Sequence, residues 1–329
     1  MKSNLKTSLV IFLIVSLFLV LFLSSFAAAT PTQAKYNIYF VSVSPGVDPF
    51  LAVVYTGVQA ADDLFPVEVN FVGLTVEELN PRAMVDKLEI ARAAKPDGII
   101  TSFWWVEAQD EVCRKAIEEG IPIMAFNNED TRQKNERIPY LGFVGMDELV
   151  TGEVLAKATL EKIDIKRTLI GIQVPGATSM ETRASGIAKV LEKEGIPYEK
   201  IDTTMEPATV ITNLGAYLIK YPETNHMFLL GPANAHPALT LLKERGLEGK
   251  VIISTIDVSE KIVEGIEEGN ILMTISQQPF AQSFIAIEQL YLYLEYGILP
   301  PERTATGPVI IDKTNVEIIK KQIEMTGGG

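Results

Sequence analysis

The chain has 329 residues but only one cysteine, two histidines and two tryptophans. A single cysteine, Cys113, excludes an intrachain disulfide and a cysteine-built zinc site. It lies beside Ala108, Val112 and Ala116 in a stretch of helical spacing, so it reads as a buried, inert thiol and not as a nucleophile. His226 starts a strand and His236 a helix, with no carboxylate cluster placed near either, so no metal site is expected. Positive charge is scarce as well: 29 Lys and Arg against 42 Asp and Glu give a net charge of −13. Phosphate binding needs clustered Lys and Arg, so nucleic acid, an anionic membrane surface and polyanionic substrates are poor partners for this chain. Also missing are a G-x-x-x-x-G-K-[ST] loop, a G-x-G-x-x-G turn after a strand and a G-x-S-x-G elbow. An enzyme would have to work with Asp48, Glu129 or Asp257 as acid or base, and their spacing makes no pair. The sequence calls for no cofactor and for no catalytic residue.

What is present begins with an apolar N-terminus. Lys2 and Lys6 are the only charges in residues 1–34, so the remainder carries −15. A short basic start, an uncharged run over 9–26 rich in Leu, Val, Ile and Phe, and then small residues read as an export signal. Ala27-Ala28-Ala29 fits the cleavage pattern and Thr32-Gln33-Ala34 is a second choice. The run is long for a signal, and an uncleaved anchor is the alternative. No cysteine follows, which excludes a lipid-anchored form. Either way the body is expected outside the cytoplasm, in the periplasm or the extracellular space.

From Lys35 onward strands alternate with helices. Strands are predicted at 36–44, 67–74, 97–103 and 122–126, with helices at 50–64, 81–94 and 107–119; 131–140 is polar and irregular. The pattern then restarts, with strands at 168–174, 197–203, 226–230 and 251–256, and helices from about 178 to 194, at 208–219 and at 237–245. A Pro-Gly turn follows the first strand of each run (Pro45-Gly46, Pro175-Gly176), and Gly120-Ile121 matches Gly246-Leu247 before later strands. Identity between the runs is low, so the repeat is one of architecture. Such alternation implies right-handed parallel βαβ units. The fold class is therefore α/β: two doubly wound Rossmann-like lobes with parallel central sheets. A tail of strand (271–276), long helix (280–296) and final strand (308–311) crosses back between the lobes, giving a multi-segment hinge and a cleft. The expected division is 1–34 for the export segment, 35–145 with 278–307 for the first lobe, and 146–277 with 308–329 for the second.

Polar side chains gather at the strand tips, where open α/β sheets place ligands. They are Ser44 and Asp48, Ser102, Asn127 and Asn128, Arg183, Asn234, Asp257 and Gln277. Asp48 also suits the cap of a helix whose first residue is Pro49. Groups that accept and donate hydrogen bonds suit a neutral polyhydroxylated ligand. Phe50, Phe103, Trp104 and Trp105 lie beside them, and an aromatic face packs on the C–H face of a sugar ring.

In their order and spacing these residues resemble the periplasmic binding proteins of sugar ABC transporters, of the ribose-binding type. The resemblance runs from about Tyr36 to Ile311. Its specific parts are Ser44 to Phe50, the strand ending in Asn127-Asn128, the segment Thr178 to Gly186 containing Arg183, Ile256-Asp257, and Thr274 to Pro279 containing Gln277. It implies two lobes joined by three crossing segments and closing on one sugar by hinge motion, in a monomer that docks on a membrane permease. A chemoreceptor is a further docking partner. By position, Ser44, Asp48 and Phe50 are implied as first-lobe contacts and Arg183 as the arginine that grips ring or hydroxyl oxygens. Asp257 is implied as a hydroxyl acceptor and Gln277 as the hinge-side glutamine. The chain departs from the ribose pattern: Asp48 stands for Asn, Asn127-Asn128 for Asp-Arg, and Met205 for a stacking aromatic. Asn234 lies three residues beyond the second-lobe asparagine position, here Gly231. Hexoses, other pentoses, inositols and the furanosyl autoinducer of related receptors stay open. Replacing Arg183 or Asp257 by Ala is expected to weaken binding at least tenfold with folding nearly intact.

Two other classes fit less of the chain. A lactose-repressor-type regulator shares the fold but needs a basic helix-turn-helix where the apolar segment stands. A secreted α/β enzyme using Asp48 or Asp257 lacks both a nucleophile–base pair and a cofactor motif.

Overall fold

The two sequence runs supply five strands each to two separate sheets, and the tail adds a sixth to both. The computed structural model describes residues 34–326, so the export segment lies outside the described residues but for Ala34. The first run comprises β1 (Tyr36–Val43), α1 (Pro49–Leu64), β2 (Val67–Leu74), α2 (Pro81–Ala93), β3 (Gly98–Thr101), α3 (Val106–Glu118), β4 (Ile123–Asn127) and β5 (Phe143–Gly145). The second comprises α4 (Glu148–Leu160), β6 (Thr168–Ile172), α5 (Thr178–Lys193), β7 (Tyr198–Asp202), α6 (Pro207–Lys220), β8 (His226–Leu229), α7 (Pro232–Glu244), β9 (Ile252–Ile256), α8 (Glu260–Glu268) and β10 (Ile271–Ser276). The tail adds α9 (Pro279–Tyr296), β11 (Arg303–Ala305), β12 (Val309–Ile311) and α10 (Val316–Thr326).

Strand order is β11-β5-β4-β3-β1-β2 in one sheet and β12-β10-β9-β8-β6-β7 in the other. Both therefore follow one winding, reversing beside their first strand, as the architectural repeat implies. All pairings are parallel except β12, which runs antiparallel to β10. The chain leaves the first sheet after β5, returns after β10 to lay α9 on the first lobe, and crosses again between β11 and β12. These three crossings are the hinge.

Each sheet is buried on both faces, because strand side chains alternate. In the first lobe Ile38, Phe40, Ile100 and Phe126 face α1 and α9, where Val54, Val58, Ile287 and Leu290 complete one core. Val41, Ile99 and Ile123 face the other way, onto Met84 and Leu88 of α2 and Val112 and Cys113 of α3. In the second lobe α4 and α5 cover one face, while α6, α7, α8 and α10 cover the other.

Local chemistry sets the helix starts. Asp48, Asn80, Asp147 and Ser259 accept from the backbone N–H of Phe50, Ala83, Val150 and Ile262, each satisfying a donor that the first turn leaves open. Pro49 and Pro81 occupy first helical positions. Helices α4, α8 and α10 and the three-residue strands β5 and β11 are not marked by the sequence pattern. The buried face of α4 is Thr151, Gly152, Leu155, Ala156 and Thr159, mostly small residues in place of a stripe of large apolar ones. Those small residues let α4 approach α5 closely. A Cβ at Gly152 would run into the Arg183 carbonyl, and one at Gly186 into the Leu149 carbonyl.

Candidate functional site

The carboxyl-end loops of both sheets face each other across a cavity of about 540 Å³, measured out to the surrounding solvent. The first lobe brings Asp48, Phe50, Trp104, Asn127 and Asn128 to it, the second Arg183 and Asp257, and the second crossing Gln277. Eight of the eleven residues singled out in the sequence thus line one space.

Asp48 sits at the start of α1, where its Oδ1 accepts from Phe50 N at 2.9 Å. Burial raises its pKa, against the lowering effect of that bond. Asn127 ends β4 and Asp257 follows β9, the fourth strand of each lobe. Both adopt left-handed backbone, with φ of 60° and 67°, a conformation Asn and Asp reach more readily than other side-chain-bearing residues. The Gln277 amide joins these two tips. Its Nε2 donates to Asp257 Oδ1 at 2.6 Å, and its Oε1 accepts from Asn127 Nδ2 at 3.3 Å. Asn127 Nδ2 also donates to Gln282 Oε1, and its Oδ1 accepts from Asn128 Nδ2 at 2.7 Å. A continuous amide relay therefore runs from the first lobe through the hinge to the second.

Asp257 is 5% exposed. Burial pushes its pKa up to about 7; Arg183 and the Gln277 bond act against that, and the Asp48 charge adds to it. Arg183 is 2% exposed and held from two sides. Its Nε donates to Glu148 Oε2 at 2.7 Å and its Nη1 to the Leu230 carbonyl at 3.1 Å. Burial disfavours its charge, but Glu148 and Asp257 outweigh that and raise its pKa. The arginine is thus an anchored wall of the cavity, with two of its three nitrogens already bonded within the protein. This corrects the expectation that Arg183→Ala leaves folding nearly intact, because the change would strand the Glu148 carboxylate.

Three expected residues do not line the cavity. Asn234 is fully buried inside the second lobe, accepting from Thr203 Oγ1 at 2.7 Å and donating to the Gly171 carbonyl at 3.0 Å. It ties α7 to the tips of β6 and β7. Ser102 lies behind the cavity and accepts from Asn128 Nδ2 at 2.8 Å. The backbone N–H of Ser44 donates to the Leu74 carbonyl, and its hydroxyl packs against Gly73. Of the aromatics, Phe103 is buried in the first-lobe core beside Tyr140, and Trp105 is half-buried against the same core.

The sequence reading missed Gln173, Ser179, Met180 and Leu79, all of which line the cavity. Gln173 is 6% exposed and its Oε1 has no hydrogen-bond partner. A Cβ at Gly231 would come within 2.6 Å of the Gln173 amide nitrogen. Absence of a side chain at 231 therefore makes room for an amide supplied by the neighbouring strand. The signal was the repeat itself, since Gln173 stands just before the second Pro-Gly turn, as Val43-Ser44 stands before the first.

Two doubly wound lobes, a three-segment hinge and a cavity between them lined by both polar and apolar side chains define a binding protein of the cleft-closing class. The chain belongs to the family described as periplasmic binding protein domain, whose model matches residues 38–297. It is similar to the xylose/arabinose-binding protein XylF of Sulfolobus acidocaldarius, at 24% identity over 302 residues, covering 87% of this chain and 73% of that protein. Among solved structures it is similar to an ABC sugar transporter's periplasmic sugar-binding protein from Legionella pneumophila (26% identity, TM-score 0.77, covering 83% of this chain and all of that one). A carbohydrate transporter protein from Acidothermus cellulolyticus, solved with myo-inositol, matches at 26% identity and a TM-score of 0.79 over 88% of this chain and 99% of that one. Among the described residues no helix is long and apolar enough to cross a membrane.

Proposed function

We propose that this protein is an exported solute-binding protein that captures a sugar or sugar-like polyol between its lobes and delivers it to an ABC import permease. The observation that carries this reading is the convergence of hydrogen-bonding groups from both lobes and the hinge on one cavity. Asp48, Asn127 and Asn128 face Arg183, Gln173 and Asp257 across it, with Phe50 and Trp104 as apolar surfaces. Carboxylates and side-chain amides are the groups that take up hydroxyls, and similarity to xylose-, arabinose- and inositol-linked proteins agrees with that chemistry. The ligand set is Asp48, Phe50, Trp104, Asn127, Asn128, Gln173, Arg183, Asp257 and Gln277. We assign 35–145 with 278–307 to one lobe and 146–277 with 308–329 to the other. A ligand touching both lobes favours the closed state by its differential affinity for that state. Binding without turnover goes with this reading, in a monomer directed out of the cytoplasm by its export segment.

A thermal-shift screen against aldopentoses, hexoses, inositols, nucleosides and autoinducer-type furanoses tests the reading. A ligand that binds only the folded protein raises Tm with concentration. One class of polyol should do so in wild type and fail in Asp257→Ala. A Tm that none of these compounds raises, in protein freed of any copurified ligand, contradicts the reading.

A further inference from the structure

A second chamber adjoins the central cavity. Asn127 and Asn128 of the first lobe and Ser179 of the second line both spaces. The second is larger, about 1290 Å³ counted out to solvent, and lies between the loop after β4 and the first turns of α4 and α5. Most of its lining residues carry polar groups. Thr178, Ser179 and Thr182 contribute hydroxyls from one side, and Glu129, Arg137 and Arg303 contribute charge from the other.

Two groups in these walls lack partners. Glu148, whose side chain is 10% exposed, bonds Arg183 through Oε2, while its Oε1 is buried without any hydrogen bond. Across the chamber Arg137 Nε is buried and unpaired, although its Nη1 reaches Glu302 at 3.3 Å. A buried polar atom left without a partner costs about 1–3 kcal/mol, and in this arrangement neither atom is open to the chamber. One orphan is an acceptor on the second lobe and the other a donor on the first. The chamber's carboxylates, Glu129, Asp147, Glu148 and Glu302, outnumber its guanidinium groups, Arg137 and Arg303, which disfavours an anionic substituent.

We infer that the cleft takes a ligand longer than one sugar ring: a neutral disaccharide or glycoside whose first ring sits at Asp48 and Asp257 and whose second unit passes Asn128 and Ser179 into this chamber. The inference rests on the sugar-binding reading and narrows its substrate class. Calorimetric titration of the purified protein with matched probes tests it: D-xylose against β-1,4-xylobiose, D-glucose against cellobiose and maltose, and glucuronic acid as the anionic control. At least one disaccharide should bind ten times or more tighter than its monosaccharide, with the uronate weakest. Thr182→Trp, which fills the second chamber and leaves the central cavity alone, should abolish that gain while monosaccharide affinity stays within about twofold. Monosaccharides that bind as tightly as every disaccharide overturn the inference and leave the sugar-binding reading standing. A disaccharide advantage that survives Thr182→Trp overturns the placement of the second unit. No binding in either series overturns the inference, while the sugar-binding reading falls only if the wider polyol screen fails as well.

Discussion

Replacing Asp257 by Asn should stabilise the protein in a pH-dependent way. In the folded state the Asp257 carboxyl holds its proton until about pH 7, because burial disfavours the charge more than Arg183 and Gln277 favour it. In the unfolded chain it releases that proton near 3.8. Between these values the folded state binds more protons than the unfolded one, so the contribution of Asp257 to stability falls as pH rises from about 4 to 7. A displacement of that size is worth roughly 4 kcal/mol at pH 8. Asn has nearly the same shape and its carbonyl still accepts from Gln277 Nε2, but it never ionises, so the variant escapes the loss. At about 2–4 °C per kcal/mol, its Tm should match wild type near pH 4 and exceed it by roughly 8–16 °C at pH 8. Other titrating groups, such as Asp312, whose pKa the Lys162 and Thr314 bonds hold at about 2, act equally in both proteins and cancel in the difference. Calorimetry of both proteins across pH 4–8 without ligand is the assay. Parallel Tm curves, or a less stable variant at pH 8, would refute the reasoning. At pH 8, where the carboxyl is ionised, the gain should carry a functional cost of about tenfold or more in ligand affinity, since a charge-assisted bond of roughly 1.5–3 kcal/mol is lost.

Glu148→Ala removes the partner of a fully buried guanidinium and should cost about 3–5 kcal/mol, read as a Tm loss of roughly 6–20 °C; a loss below 2 °C contradicts the pairing. Glu148→Leu combined with Arg183→Met should recover most of that stability, since an apolar pair of similar volume needs no compensation. Gly231→Ala crowds the Gln173 amide and should lower ligand affinity severalfold by titration, and unchanged affinity would show that Gln173 moves aside freely. Asn234→Ala removes two buried hydrogen bonds, although Thr203 keeps the Ile172 carbonyl and the Gly171 carbonyl keeps the Leu230 N–H, so it should cost about 1–3 kcal/mol in denaturant unfolding while ligand affinity stays within twofold; a large affinity loss at full stability would return Asn234 to the site.

Long alternating segments made the two-lobe plan legible. Apolar runs such as Ile38 to Val43 and the helical spacing of Val54, Val58 and Ala61 need only local periodicity to be read. Helix α4 escaped because its close packing on α5 selects Gly152, Ala156 and Thr159 over large apolar residues. Strands β5 and β11 escaped because three residues are too few to show a period. At the site, strand-tip position found Asp48, Asn127, Asp257 and Gln277 but could not tell a side chain facing the cavity from one facing inward. Asn234 and Ser102 turn away to satisfy buried backbone and amide groups, while Gln173 enters through space left by a glycine 58 residues later in the chain. The Arg183–Glu148 pair joins two helices whose packing no local pattern records.

The most direct measurement is a crystal structure of the protein grown with the polyol that raises its Tm most. The account predicts one sugar ring between the lobes, in contact with Asp48 and Trp104 on one side and with Arg183 and Asp257 on the other. A ligand bound to one lobe alone, or outside the cavity that these four residues line, would contradict it.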